Sequence, residues 1–199
     1  MVQAADTDER AAAPGGADEA LLRAYAAGDA SAARAMAERF GPAAFRFALR
    51  LTNSRADAED VAQEAMIRLY RAAPGWRPDG GQVTSWLYRV IANLATDLVR
   101  RRQAEPIEAA LDLADGAPGA EAWLMARDRE DALSRALARL PDRQRLAVVL
   151  RHIEGLTNPE IAAIMEIGTE AVESLTARGK RALAEALAGE RQAIGYAEG

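Results

Sequence analysis

Five side chains at helical spacing carry groups suited to work on nucleic acid: Trp86, Arg89, Asn93, Asp97 and Arg100. Steps of three and four put them along one face of a helix, which then presents an aromatic ring, an amide, a carboxylate and two guanidiniums. Cations hold phosphates, an amide or acid pairs with an exposed base edge, and a ring supports base stacking worth about 1–3 kcal/mol per base. The plainer reading is a tryptophan capping an apolar core beside ordinary polar surface. A second stripe, Asp57, Asp60, Glu64, Arg68 and Arg71 with Gln63 beside it, is either a functional face or a solvated surface. Pairs such as Glu64 with Arg68 would stabilise the latter by about 0.2–0.5 kcal/mol each. Covalent and metal chemistry lack their groups, because the chain has no cysteine and one histidine, His152. Disulfides, thiolate nucleophiles and most transition-metal sites are thereby excluded. The carboxylates have no partner base or metal cluster, so no catalytic residue, metal or cofactor is expected.

Both stripes need helices to carry them. Half of the 199 residues are hydrophobic but only 5% are aromatic, a composition of helices packed on helices, and an all-α fold is expected. Val61, Ala65 and Leu69 mark the buried side of a helix over 55–73. Leu87, Val90, Ile91, Leu94 and Leu98 mark that of a helix over 83–102. From 18 to 102 the periodicity predicts four or five helices, broken at Gly28-Asp29, Gly41-Pro42, Asn53-Ser54 and Pro74 to Gly81. The loop from Trp76 to Ser85 is glycine-bearing and long, a plausible cover for an unstacked base. Residues 1–17 read as a disordered tail and 103–120 as a flexible acidic linker. Over 121–187, Trp123, Leu133, Leu137, Leu140, Leu146, Val149, Leu150 and Ile153 predict a second small core, with 188–199 as a C-terminal tail. The N-terminus lacks the apolar core of a signal peptide, and no apolar run of about 18 residues occurs. A cytoplasmic protein without membrane insertion is expected.

Within the second domain, Thr157-Asn158-Pro159-Glu160 is a capping-box pattern that starts a helix running to Met165. A break over Glu166 to Thr169 precedes another helix carrying Val172 and Leu183. Two short helices about a tight turn describe a helix-turn-helix, though any helical hairpin has similar spacing. Net charge is −5, yet residues 18–102 hold 13 basic against 10 acidic groups, 103–140 hold 4 against 8, and 141–187 hold 6 against 7. A DNA-binding surface in the last segment must therefore come from local arrangement.

DAEDVAQEAMIRLYRAAPGW followed by TSWLYRVIANLATDLVRRR closely resembles region 2 of the extracytoplasmic-function (ECF) group of sigma-70 factors. ALSRALARLPDRQRLAVVLRHIEGLTNPEIAAIMEIGTEAVESLTARGKRAL resembles their region 4. The resemblance implies an alternative sigma factor of two small helical domains, a region 2 bundle and a region 4 helix-turn-helix, whose partners are core RNA polymerase, promoter DNA and an anti-sigma factor. By the same resemblance Asp60, Gln63 and Glu64 fall where the family docks on polymerase. Trp86, Arg89, Asn93, Asp97 and Arg100 fall where it melts and reads the minus-10 element. The helix from Thr169 to Arg181 falls where it reads the minus-35 element, with Thr169, Ser174, Arg178, Lys180 and Arg181 as candidate contacts.

Two features depart from the family pattern. Glu166 stands where a glycine is common in the helix-turn-helix break, with Gly168 where a serine often caps the next helix. Glu173 and Leu175 stand where the reading helix is usually basic, and a carboxylate near phosphate is repelled. Those departures support an alternative: a sigma-like decoy that sequesters an anti-sigma factor without reading DNA.

Overall fold

A computed structural model describes residues 14–77, 81–104 and 132–193, and every element among them is helical. The first module holds α1 (Pro14–Ala26), α2 (Ala30–Thr52), α3 (Arg55–Ala72), a 3-10 turn (Ala73–Gly75) and α4 (Val83–Ala104). The second holds α5 over 132–138, α6 (Asp142–Val148) running on into a π turn (Val149–Ile153), α7 (Asn158–Met165) and α8 (Thr169–Ala193).

Local chemistry sets the helix ends. Asp29 caps α2 by accepting the Ser31 N–H at 2.8 Å, and Asn53 ends it in the left-handed region at φ 52°, where asparagine is tolerated. Ser54 is the N-cap of α3. Helix α2 is the axis of the first module and packs on α1, α3 and α4. It buries Met36, Phe40, Ala44, Phe47 and Ala48 at steps of three and four, and Leu69, Leu87 and Ile91 close the core from α3 and α4.

Several expected boundaries shift. Gly41-Pro42 is not a break, because α2 runs through it. Pro42 is exposed, so the interrupted backbone bond faces water, while Phe40 and Ala44 hold the helix on both sides. Helix α1 starts at Pro14, inside the expected tail, as proline is compatible with a first helical turn. Helix α4 reaches Ala104 and α8 reaches Ala193, past the boundaries read at 102 and 187. Trp123 and the linker beyond 104 lie outside the described residues. Asp57, read as part of the exposed acidic stripe, is 6% exposed. It accepts from Arg102 of α4 at 2.6 Å, a tie between helix ends 45 residues apart.

The largest departure is that two separate cores do not form. The buried apolar residues make one contiguous cluster through both modules, from Leu22 and Phe47 to Leu150 and Ile161. Helix α7 lies against α4, and α6 touches α2. At the junction the guanidinium of Arg145, 8% exposed, donates to four carbonyl oxygens. Those of Leu137 (2.9 Å), Ala138 (2.9 Å) and Leu140 (3.1 Å) close the end of α5, and that of Leu51 (2.6 Å) belongs to the last turn of α2. Burial pulls the Arg145 pKa down, and the Asp142 carboxylate 3.5 Å away opposes that pull.

Arg145→Met keeps the apolar stem and removes every donor. Each carbonyl left buried without a partner costs about 1–3 kcal/mol, so the variant is expected to lose roughly 3 kcal/mol or more of stability in urea unfolding. Arg145→Lys, with a point charge in place of the fork, should fall between. An unchanged unfolding midpoint for the Met variant would show that Arg145 does not hold these helix ends.

Candidate nucleic-acid interface

On α3, Asp60 and Gln63 are exposed and Glu64 is half-buried. Glu64 pairs with Arg68 at 2.8 Å, the pair expected from their spacing. Ser54 starts α3 and Leu69 buries its opposite side, so Asp60, Gln63 and Glu64 share one outward sector.

The α4 residues divide. Asn93 and Asp97 are exposed, and Asp97 pairs with Arg100 at 2.9 Å. Trp86 is half-buried and meets Trp76 edge to face, with centroids 5.8 Å apart. It is therefore both a wall of the core and a ring at the head of the polar face. The Trp76 indole N–H is buried without an acceptor among the described residues, a free donor beside that ring pair. Arg89 differs from its neighbours. Its guanidinium donates across the module boundary to the carbonyl of Ala163 in the last turn of α7, an end where carbonyls lack helical partners and a cation is favoured. Sequence reading could not assign Arg89 this partner, because 74 residues separate the two.

The second module has the expected helix-turn-helix geometry. Glu160 accepts the Thr157 N–H at 2.7 Å and the Thr157 hydroxyl at 2.6 Å, closing the capping box that starts α7. These bonds hold the Glu160 carboxyl below its ordinary range. Glu166 ends α7 with φ 54° and ψ 48°, left-handed despite its β-carbon, and its N–H returns to the Ala162 carbonyl. The glycine expected at this break is thus replaced by a strained glutamate in the same conformation.

Val172 and Gly179 are the buried points of the forward part of α8. A β-carbon at Gly179 would lie 2.6 Å from Val148 Cγ2 and 3.0 Å from the Gln144 carbonyl oxygen, so the missing side chain is what lets α8 lie directly on α6. With Val172 as the inward direction, Arg181, Ser174 and Arg178 fall at about 180°, 200° and 240° around the helix. They form the outer face, and all three are exposed. Thr169 and Lys180, also exposed, sit nearer the flank at about 60° and 80°. Arg178 folds back onto the Ser174 carbonyl at 3.3 Å. Glu173 lies at about 100° and accepts from Asn158 Nδ2 at 3.2 Å, so its carboxylate ties the two helices of the motif. That role was missed in the sequence, where the residue read only as a repulsive charge.

Fold and surface together define a two-module DNA-binding protein, built of helices among the described residues, with a helix-turn-helix in its second half and a mixed aromatic, polar and basic helix face in its first. Residues 36–105 match the sigma-70 region 2 family and residues 130–183 match the sigma-70 region 4 family. Among curated relatives, the ECF RNA polymerase sigma factor SigM of Mycobacterium tuberculosis is 33% identical over 173 residues, covering 85% of this chain and 84% of the relative. The ECF RNA polymerase sigma factor SigE of Mycolicibacterium smegmatis is 37% identical over 148 residues, which span 72% of this chain but only 57% of that protein. The structure of CnrH in complex with the cytosolic domain of CnrY superposes with a TM-score of 0.64 at 26% identity, covering 87% of this chain and 98% of that one. The chain belongs to the ECF sigma factors of the sigma-70 family, a family of transcription initiation factors rather than enzymes. Among the described residues, no helix is long and apolar enough to cross a membrane.

The strain at Glu166 has a measurable consequence. Glu166→Gly replaces a side chain that resists positive φ with the residue that accepts it freely. A stabilisation of about 0.5–1 kcal/mol is expected, seen as a higher melting temperature, with the gain offset in part by the greater unfolded-state entropy of glycine. A lower melting temperature would mean that the Glu166 side chain contributes more than its backbone costs.

Proposed function

We propose that this chain is an alternative sigma factor that joins core RNA polymerase in the cytoplasm, directs it to a specific set of promoters, and is restrained by an anti-sigma factor. In this reading the α3 sector of Asp60, Gln63 and Glu64 meets polymerase. Trp86, Arg89, Asn93, Asp97 and Arg100 melt and read the minus-10 element, and α8 meets the minus-35 element through Thr169, Ser174, Arg178, Lys180 and Arg181. Two family matches in the expected order carry the reading, supported by the exposure of Asn93 and of the outer face of α8. The fold is shared with the sigma factor RpoE of Bartonella quintana, solved with the anti-sigma factor NepR, and CnrH too was solved with a protein partner, the cytosolic domain of CnrY. The decoy alternative is not favoured: Glu173 was its main support, and that carboxylate has a structural use at Asn158.

Each module has its own test. Asn93 supplies a donor and an acceptor on an exposed face, so Asn93→Ala should weaken minus-10 discrimination by about 1–3 kcal/mol while polymerase binding holds. Permanganate footprints across minus-10 variants check this, and equal melting by both proteins would remove Asn93 from the reading face.

Arg178 and Arg181 sit on the outer face of α8, placed to neutralise phosphates. Replacing both with alanine should weaken duplex binding almost evenly across sequences and flatten its salt dependence, by roughly one unit of slope for each phosphate no longer neutralised. Binding titrations at several salt concentrations measure it, and an unchanged slope would mean that neither arginine touches DNA.

A further inference from the structure

The exposed side chains in the first two turns of α8 are those of Thr169, Glu170, Ala171, Glu173 and Ser174. None is a cation, and the first cation, Arg178, stands about 14 Å along the axis from Thr169. In a helix-turn-helix the N-terminal residues of the second helix meet base edges while the first helix crosses the backbone. The end of α8 that would enter the groove therefore lacks the arginine or lysine that holds guanine through O6 and N7. Glu173 has a fixed place there. Its Oε1 accepts from Asn158 Nδ2 at 3.2 Å, and Asn158 is the first residue of α7, whose start is set by the capping box of Thr157 and Glu160. The second Glu173 oxygen has no partner among the described residues. The carboxylate thus sits at the edge of α8 beside the start of α7, exposed, aimed by its neighbour, and with acceptor capacity unused.

We propose that Glu173 sets the minus-35 preference of this protein by accepting a hydrogen bond from the exocyclic amino group of a cytosine, with Asn158 holding the carboxylate in position. The inference rests on the reading of α8 as the minus-35 helix and names the base that this helix selects. Only two bases present a donor in the major groove, cytosine through N4 and adenine through N6, and adenine sets its acceptor N7 beside that donor. Guanine offers N7 and O6 and thymine offers O4, all acceptors. A carboxylate opposite either is repelled and stripped of water with no donor in exchange. Repulsion by phosphate acts alike on every sequence, so it lowers affinity without changing which base is chosen. The bond to Asn158 restricts the glutamate before DNA arrives and so reduces the ordering that binding would otherwise require.

Holoenzymes assembled from core polymerase and the full-length chain, wild type or substituted, can select from a duplex library randomised through the minus-35 and minus-10 windows, with the retained duplexes sequenced. The wild type is expected to enrich one upstream cytosine over guanine by roughly five- to tenfold. Glu173→Gln keeps an acceptor for Asn158 and adds a donor, and should move that one position to adenine. Glu173→Arg should move it to guanine. Asn158→Ala should shrink the cytosine preference without changing its identity. All other positions and the minus-10 motif should stay as they are, a pattern that a merely structural role of Glu173 would not produce, and melting curves check that each variant folds. An upstream motif that neither Glu173 substitution alters, or one whose altered position is not a cytosine in the wild type, would overturn the proposal and leave α8 as the minus-35 helix. A minus-10 motif with no upstream motif in any of the holoenzymes would overturn the reading of α8 itself, and the proposal with it.

Discussion

A helix end leaves carbonyl oxygens without partners, and burying such an end requires donors from elsewhere. In this protein one guanidinium supplies them for two helices at once. Arg145 completes the end of α5 and the end of α2, so closing the second module and seating it on the first are the same event. The apolar cluster can run through the junction only because those carbonyls are satisfied there. Arg89 does the like for α7. Both long-range ties are therefore cations set against the negative ends of helices.

How far the sequence could be read follows from how local each feature is. Helices α3 and α4 declared themselves because their apolar residues recur at steps of three and four, and the capping box at Thr157 and Glu160 is complete within four residues. Pro42 misled because a local rule was outvoted by Phe40, Ala44 and Phe47 packing on either side of it. Asp57 misled because its partner, Arg102, lies on another helix. The outward sector of α3 was legible from periodicity, and so was the exposure of Asn93. The commitment of Arg89 to α7, the tie from Glu173 to Asn158 and the bond that Arg50 of α2 donates to Glu154 after the π turn were not. Each joins residues brought together only by tertiary packing, and no spacing rule reaches across 15 to 104 positions.

The two departures from the family pattern turn out to have different physics. Glu166 takes over a glycine's conformation at a cost in backbone strain, and the turn keeps its geometry. Glu173 changes the charge near the reading helix, yet its carboxylate is aimed at Asn158. The helix-turn-helix is thus preserved as a shape while its charge is altered. The basic character of α8 rests on Arg178, Lys180 and Arg181, in the helix's middle.

The close approach at Gly179 bears on how such a protein can diversify. Helix α8 is seated by Val172 and Gly179 on its inner side, while Ser174, Arg178 and Arg181 occupy the far side, away from the core. The side chains proposed to contact DNA are thereby separable from those that set the helix's position. Substitutions at 174, 178 and 181 should have little effect on folding, whereas a single methyl group added at 179 would displace the whole of α8. The tolerance of the outer face and the intolerance of the inner one are two sides of the same helix crossing.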